Sequence, residues 1–379
     1  MINAKIDATA LLNAVDGAAT RVRTKVLDFS FNELLDMYAS DELIIEPEFQ
    51  RLFRWTEVKQ SQFVESLILE LPIPPIYVIE VQDGKYELID GLQRLSSYFH
   101  FRGRHPKSKE GEEKFLRLTG CDVLPALNGL RYDELPSAVQ IRLKRQSVRT
   151  EVLRRESDKR LRYYMFKRLN TGGEALSEQE IRNCTIRLLD NTFNDFLKKC
   201  TKNSDYVACM SELTDEKREQ MYMEEYVLRF FALKNNRAEY EKEIGEFLTN
   251  YMESVSDPDR KDVLFDYTAE ETAFAATFRI LNEALGDGAF SGLNKQGTPK
   301  GYFSALLFEA LTIGIQRNLD ALAKADGARK GKLKQALTDL KRDPSFEKQT
   351  KGGGKNYAAA LKKRIEAVQK RVAKCLPSN

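Results

Sequence analysis

The stretch YELIDGLQRLSSYF, residues 86–99, decides how the first half of this chain is interpreted. Its β-branched and aromatic start, residues 86–89, is typical of a strand. Asp90 and Gly91 then form a short turn, and a helix is predicted to follow with Gln93 and Arg94 in its first turn. A glycine between a strand and a helix exposes backbone N–H groups at the helix N-terminus, where the helix dipole favours an anion. The arginine in the same turn therefore suggests a phosphate ligand.

The segments before this stretch predict more of a small α+β domain. Residues 26–40 are predicted to form a short strand and then a helix capped near Ser30, because Glu33 follows at capping-box spacing. Residues 76–79 form a strand that the polar turn at residues 82–85 joins to residues 86–89 as a hairpin. The preceding helix should bury one face with i, i+3, i+4, i+7 spacing and end at the prolines that follow. That face consists of Val64, Leu67, Ile68 and Leu71.

The rest of the chain is predicted to be mainly helical. A helix at residues 133–146, a strand at 148–153 and a helix from Ser157 to residue 169 complete the first domain, and a capping box at Ser177 and Glu180 begins the next helix. Further helices are expected at 178–199, 215–234, 238–254, 269–285, 299–324, 329–341 and 356–375. We therefore expect an α+β fold, with a first domain at residues 1–180 and a helical domain with a basic C-terminal segment at residues 181–379.

Composition excludes several classes of protein. With 379 residues and 42% hydrophobic content, the chain has enough apolar residues for folded cores. The five cysteines form no CxxC pair, so we expect most of them to be core residues and expect neither a disulfide framework nor a zinc knuckle. The two histidines, His100 and His105, exclude a His-containing nuclease module further along the chain. No membrane-spanning segment or signal peptide is evident, and we expect a cytoplasmic protein.

The net charge of +3 hides two basic stretches. Residues 329–379 carry fifteen Lys and Arg against four Asp and Glu, and residues 142–168 carry eleven against three. Clustered cations of this kind are typical of surfaces that contact a nucleic-acid backbone. The alternative is a set of solvated helix faces that bind nothing.

Three segments contain polar residues that apolar packing does not require. The first is PEFQRLFRW, residues 47–55, the second is DGLQR, residues 90–94, and the third is FKRLNTGGEALSEQE, residues 166–180. In the third, a pair of glycines follows Asn170 between two predicted helices and would allow close approach of a ligand. The nucleotide-binding candidates from these segments are Gln50, Arg51, Arg54, Trp55, Gly91 and Asn170.

Together these segments resemble a known family. The order QRxFxW, FVESLILELPIPPIY, YELIDGLQRL and FKRLNTGGEALSxQEIRN, over about residues 28–190, is similar to the N-terminal domain of GmrSD-type modification-dependent restriction systems. That resemblance implies a ParB/sulfiredoxin-like fold marked by an Asp-Gly-Gln-Gln-Arg motif, with nucleoside triphosphate (NTP) binding or hydrolysis coupled to action on DNA in bacterial defence against phage. Relatives often carry a His-containing HNH nuclease domain, whereas no histidine follows residue 105 here. Either a partner chain cuts, or the protein acts without that chemistry.

One residue departs from the family motif. Leu92 stands where the family usually has its first Gln, while Asp90, Gly91, Gln93 and Arg94 are retained. If the missing Gln orients water or a base, hydrolysis is weakened while phosphate binding survives.

Chemistry gives each candidate residue a role. Asp90 is expected to hold Mg²⁺ or act as a base, Gln93 to orient water or a phosphate oxygen, and Arg94 to pair with a phosphate. Arg51 and Arg54 would add positive charge near the phosphates, and Trp55 would stack on a base. The structural alternative is that Arg94 forms an ordinary ion pair with Asp90 or Glu87 and Trp55 belongs to the core.

Three hypotheses follow from these observations. The first is an anti-phage defence component that binds and hydrolyses NTP at the DGLQR site to gate action on DNA. The second is a non-hydrolysing, nucleotide-gated, DNA-binding adaptor that recruits a separate effector. The third is a metal-dependent DNA nickase that uses Asp90.

Overall fold

The chain folds into two compact units, residues 1–175 and 176–379. The computed structural model describes residues 8–19, 23–46, 53–82, 84–104, 115–155, 157, 159–170, 177–260, 262–294, 296–352 and 354–376. A small sheet lies in the first unit and the second unit is mostly helical, so the expected α+β fold class is confirmed. The division falls five residues before the position 180/181 proposed from the sequence.

The first unit contains five strands and six helices among its described residues. The strands are β1 (Thr24–Ser30), β2 (Leu43–Ile44), β3 (Ile76–Gln82), β4 (Lys85–Asp90) and β5 (Ser147–Leu153). The helices are α1 (Ala8–Ala19), α2 (Phe31–Ala39), α3 (Glu57–Ile68), α4 (Leu92–Phe101), α5 (Ser137–Arg145) and α6 (Lys159–Asn170).

The five strands form one mixed sheet in the order β1-β5-β3-β4-β2. β1 pairs with β5 and β3 with β4 in antiparallel orientation, whereas β3 pairs with β5 and β2 with β4 in parallel orientation. The predicted hairpin is therefore confirmed as β3 and β4. Helices α2, α3 and α4 pack on one another and bury residues such as Phe31, Val64 and Leu95. This packing places the start of α4 beside the start of α3.

The ends of the helices follow local signals. The Ser30 side chain accepts a hydrogen bond of 3.0 Å from Glu33 N, as the capping spacing predicts. The predicted end of α3 at the prolines was wrong, because the helix already ends at Ile68. Glu70 has φ +57°, and the bonds from Glu70 N to Leu67 O and from Leu71 N to Ser66 O form a Schellman motif. Leu71 consequently lies outside the helix and is 43% exposed, not buried.

The second unit contains twelve helices and one short hairpin among its described residues. The helices are α7 (Glu178–Thr185), α8 (Thr192–Cys200), α9 (Ser204–Cys209), α10 (Asp215–Glu219), α11 (Tyr222–Asn235), α12 (Ile244–Ser256), α13 (Tyr267–Leu285), α14 (Ala305–Gly314), α15 (Leu319–Ala323), α16 (Gly327–Arg342), α17 (Pro344–Thr350) and α18 (Ala358–Ala373). The strands are β6 (Ser291–Leu293) and β7 (Pro299–Phe303), which pair antiparallel.

Three long helices predicted from the sequence are interrupted. The one at residues 215–234 is divided into α10 and α11 beside Met221, which has φ +61°. The one at residues 178–199 is divided into α7 and α8, and the Asp190 carboxylate accepts a bond of 2.6 Å from Thr192 N at the break. The one at residues 299–324 was wrong at its start, which is strand β7. Gly297 and Gly301 have φ of +86° and +72°, and this left-handed backbone ends any helix. The capping box at Ser177 and Glu180 is confirmed.

A chain of buried ion pairs joins four helices of the second unit. Arg182 of α7 contacts Glu225 of α11 at 2.8 Å, and Glu225 contacts Arg229 at 3.0 Å. Arg229 contacts Glu309 of α14 at 3.1 Å, and Glu309 contacts Arg364 of α18 at 3.0 Å. All five side chains are at most 9% exposed. Arg182, from the LSEQEIRN motif, and Arg364, from the basic C-terminal stretch, thus have structural partners.

The cysteines and the lengths of the helices also bear on the sequence-based expectations. All five cysteines are buried, which agrees with their expected place in the core, and all five are free thiols. Burial raises the pKa of the Cys121 thiol to about 11, so this side chain stays protonated at neutral pH. None of the described helices has the length and apolar composition needed to cross a membrane.

Candidate functional site

The site is built on the turn between β4 and α4. Gly91 has φ +109°, a conformation that side-chain-bearing residues rarely adopt. A Cβ atom at this position would lie 3.0 Å from Ile76 Cγ1, so the turn also has little space for one. Gly91 is the N-cap residue of α4 and supplies no side-chain cap. The turn thus directs the first residues of α4 toward the neighbouring loops.

Asp90 and Arg94 form an ion pair across this turn. Asp90 Oδ2 lies 2.6 Å from Arg94 Nη2, and Arg94 Nη1 donates to the carbonyls of Pro74 and Pro75, with 3.0 Å to Pro75 O. The Asp90 side chain is 33% exposed and the Arg94 side chain is 12% exposed. Among the described residues, the Nε–H and the second N–H of Nη2 have no acceptor, so the guanidinium keeps donors for a further ligand.

Gln93 contacts the loop between residues 53 and 56. Its Oε1 atom accepts hydrogen bonds from the backbone N–H groups of Arg54 at 3.0 Å and Trp55 at 3.1 Å. The first turn of α4 therefore holds a segment that lies almost forty residues earlier in the chain. The Arg54 side chain is exposed and Trp55 is half-buried.

Trp55 is held from a second direction by α3. Gln60 Nε2 donates to Trp55 O at 2.7 Å, and Gln60 Oε1 lies 2.8 Å from His100 Nδ1. The Trp55 ring packs against Phe63 with centroids 5.8 Å apart at 63°. Trp55 therefore contacts the core through its ring and remains partly accessible.

Six candidate residues come together around the start of α4. They are Arg54, Trp55, Asp90, Gly91, Gln93 and Arg94. Asn170 is the last residue of α6, and its side chain lies outside the described part of the structure, as do Gln50 and Arg51 entirely. The contact between Asp90 and Arg94 corresponds to the ion pair that the structural alternative predicts. Trp55 is not a fully buried core residue.

Two neighbours of the site were missed from the sequence. Gln60 is 4% exposed and His100 is 7% exposed, and both support the Trp55 loop. Gln60 lies four residues before Val64 on the buried face of α3, so a polar residue on an apolar face was the available signal. Leu92 is 4% exposed, which shows that position 92 faces the core in this chain.

The residues around the site offer few ligands for a metal ion. Among the described residues, no group of three or more His, Cys, Asp or Glu side chains is placed to hold one. The Oδ2 atom of Asp90 is engaged by Arg94, which leaves Oδ1 as the available carboxylate oxygen of this residue. Mg²⁺ bound with a nucleotide typically uses one or two carboxylates together with phosphate oxygens. The site therefore fits such an ion through a single protein ligand.

The two basic stretches differ in how their cations are used. Of the fifteen Lys and Arg at residues 329–379, eleven are exposed, two are half-buried and two, Lys341 and Arg364, are buried. At residues 142–168, Arg142, Arg149 and Arg154 lie within 4.0 Å of carboxylates. The C-terminal stretch therefore presents the larger exposed positive charge among the described residues.

The first unit thus belongs to the class of α+β domains with a polar site at a strand-to-helix turn. Residues 31–187 match the family described as GmrSD restriction endonuclease, N-terminal domain, so this part of the chain is similar to that domain. The match confirms the predicted resemblance, includes the whole turn and indicates a restriction-like defence protein. No curated protein and no solved structure gave a match. The ParB/sulfiredoxin likeness stays a prediction.

Proposed function

We propose that the protein is a restriction-like defence component that binds and hydrolyses an NTP at the start of α4 to gate action on DNA. The convergence of Arg54, Trp55, Gln93 and Arg94 at one helix N-terminus, inside the matched domain, supports this proposal most directly. A helix N-terminus attracts anions, and two arginines beside it add positive charge. The half-buried ring of Trp55 offers a surface on which a nucleobase can stack.

Each residue of the site would contact a different part of the nucleotide and its metal ion. The N–H groups of Arg94 that have no acceptor among the described residues and the exposed side chain of Arg54 would pair with phosphates. Asp90 Oδ1 would be the protein ligand of a Mg²⁺ ion that arrives with the nucleotide, and the ion would neutralise phosphate charge. Gln93 Oε1 already accepts two backbone hydrogen bonds, so the proposal does not assign the orientation of water to this atom.

The second candidate is the non-hydrolysing adaptor, which the burial of Leu92 favours. A side chain in the core does not orient a water molecule at the site, so the chain lacks the amide that its relatives carry there. The nickase hypothesis has no comparable support, since Asp90 is paired with Arg94 and no group of three or more candidate metal ligands exists among the described residues.

We infer that α18 contributes to DNA binding in both candidates. Lys363 and Lys370 lie in α18 and Lys374 is its C-cap residue. Spacings of seven and four residues place all three on one side of this helix. All three are exposed, and none forms an ion pair with another residue of the described ranges. Cations arranged in this way suit the phosphate backbone of a duplex.

The deciding experiment measures nucleotide binding and turnover in parallel. Binding of each of the four NTPs is followed by calorimetry, and phosphate release is followed with and without plain or modified duplex DNA. Turnover that is lost on Arg94→Ala supports the NTPase. Binding without turnover supports the adaptor, and the absence of binding to every NTP, with and without DNA, would overturn both.

A further inference from the structure

Two glutamines hold the two polar groups of the Trp55 backbone. Gln93 accepts from Trp55 N at 3.1 Å, and Gln60 donates to Trp55 O at 2.7 Å. One glutamine lies on α4 and the other on α3, and these helices pack against each other. The position of Trp55 relative to the start of α4 is therefore set by two side-chain contacts that approach from different helices.

The orientation of each glutamine is itself constrained. His100 Nδ1 lies 2.8 Å from Gln60 Oε1, which leaves Gln60 Nε2 directed at the Trp55 carbonyl. Gln93 Oε1 accepts from Arg54 N as well as from Trp55 N, so one oxygen serves two consecutive peptide groups. A carbonyl oxygen has two lone pairs, and both are satisfied by this arrangement.

We propose that Gln93 is a positioning residue, which sets Arg54 and Trp55 beside the N-terminus of α4, and does not itself contact the nucleotide. This inference deepens the proposed function and rests on it for the identity of the ligand. Its structural basis is the pair of bonds from the Arg54 and Trp55 N–H groups, which use the acceptor oxygen of the amide. Gln93 thereby acts on the phosphates and base through the two residues that it holds.

The loop can be observed directly because Trp55 is the only tryptophan in the chain. Acrylamide quenching of its fluorescence reports the accessibility of the ring without any nucleotide. Gln93→Leu removes the acceptor at similar volume and should raise the quenching constant. Gln93→Glu keeps a carbonyl-type acceptor at the same place and should leave the constant near its wild-type value.

A matched substitution controls for a general effect on the first unit. Gln140→Leu removes another glutamine that bonds to the backbone, at 2.9 Å to Leu135 O, away from the Trp55 loop. It should leave the Trp55 quenching constant unchanged. An unchanged constant in Gln93→Leu as well would overturn the positioning role.

A double-mutant cycle then tests the connection to the ligand. Affinity for a non-hydrolysable NTP analogue is measured by calorimetry for Gln93→Leu, Trp55→Phe and the double variant. We expect Gln93→Leu to weaken binding by about tenfold and the two losses to be clearly non-additive. Additive losses would mean that Gln93 contacts the nucleotide independently, which contradicts the inference.

The two proposals fail in different ways. If wild-type protein binds no NTP while Gln93→Leu still loosens Trp55, the proposed function fails and the positioning of the loop stands. If NTP binds and Gln93→Leu changes neither quenching nor affinity, the positioning role fails and nucleotide binding stands.

Discussion

Asp90 and Arg94 are joined by a contact of 2.6 Å between Oδ2 and Nη2, across the turn that connects β4 to α4. The same guanidinium donates to the carbonyls of Pro74 and Pro75 in the loop before β3. Arg94 therefore links the turn after β4 to the loop before β3. Any loss of nucleotide binding in an Arg94 variant includes a structural contribution that has to be measured separately.

Arg94→Ala should reduce the free energy of unfolding of the first unit by about 1–3 kcal/mol, because two carbonyls and a carboxylate lose their donor. Urea denaturation followed by Trp55 fluorescence measures this, since the only tryptophan lies in the first unit. Arg54→Ala is the matched control. Its side chain is exposed, so it should weaken nucleotide binding while costing less stability than Arg94→Ala. Equal stability losses in the two variants would contradict this assignment.

Gly91→Ala should destabilise the first unit by about 1–3 kcal/mol, because φ +109° is strained for alanine and its Cβ would lie 3.0 Å from Ile76 Cγ1. Gly84→Ala serves as the comparison, since it has φ +75° with no atom within 4 Å of the added Cβ. We expect Gly84→Ala to cost about 1 kcal/mol. Urea titrations monitored by Trp55 emission give both values, and a smaller loss for Gly91→Ala would contradict the tight turn.

Glu309→Leu should be the most damaging change in the buried ion-pair chain. It leaves Arg364 without a carboxylate, for which we expect a loss of about 3–5 kcal/mol. Arg364→Met should cost less, since Glu309 keeps its contact with Arg229. The exposed pair of Lys330 and Glu283 provides a control, and Lys330→Met should change stability by less than about 1 kcal/mol. Circular dichroism during urea denaturation measures the stability of all three variants. A larger loss for Arg364→Met than for Glu309→Leu would contradict this prediction.

Lys341 should make the second unit more stable as pH rises above 8. Burial lowers the pKa of this lysine from 10.5 to about 8, and its Nζ atom donates to the carbonyls of Gly288 and Ala289. Between pH 8 and 10.5 the unfolded chain keeps a proton that the folded chain releases. The unfolded state therefore binds more protons, and stability increases with pH by up to about 3 kcal/mol over this window.

The measurement compares wild-type protein with Lys341→Met from pH 7 to 10.5 by urea denaturation and circular dichroism. Burial raises the pKa of Cys200 and Cys209 to about 12, which lowers stability with rising pH in both proteins. The difference between the two curves isolates the lysine. A constant difference across this range would show that Lys341 keeps an ordinary pKa.

Replacing Lys363, Lys370 and Lys374 together by Gln should weaken duplex binding and reduce the slope of log K against log salt by about 3, one unit for each phosphate that the variant no longer neutralises. The control replaces three exposed lysines elsewhere in the second unit, Lys202, Lys242 and Lys324, with the same change in net charge. Fluorescence anisotropy at several salt concentrations gives both slopes. Identical slopes for the two triple variants would show that α18 does not contribute to DNA binding.

Much of the fold could be predicted because its signals are local. The hairpin of β3 and β4, the Ser30 cap and the capping box at Ser177 depend on residues within a few positions of each other. The helix predictions were wrong where the apolar spacing of a helix continued in the sequence beyond the point at which the backbone leaves the helix. Leu71 fits the apolar spacing of α3, but the left-handed backbone at Glu70 ends the helix before it. Gly301 has left-handed backbone and lies in strand β7, where the start of a helix was predicted.

The sequence by itself determined the strand, the turn and the helix that carry Asp90, Gly91, Gln93 and Arg94, because the order of residue types specifies each of them locally. Only the tertiary structure decided what these side chains contact. Gln93 meets Trp55 across 38 positions, and Arg94 meets the carbonyl of Pro75 across 19. Such contacts depend on how α3, α4 and the sheet pack, and no local spacing encodes that packing.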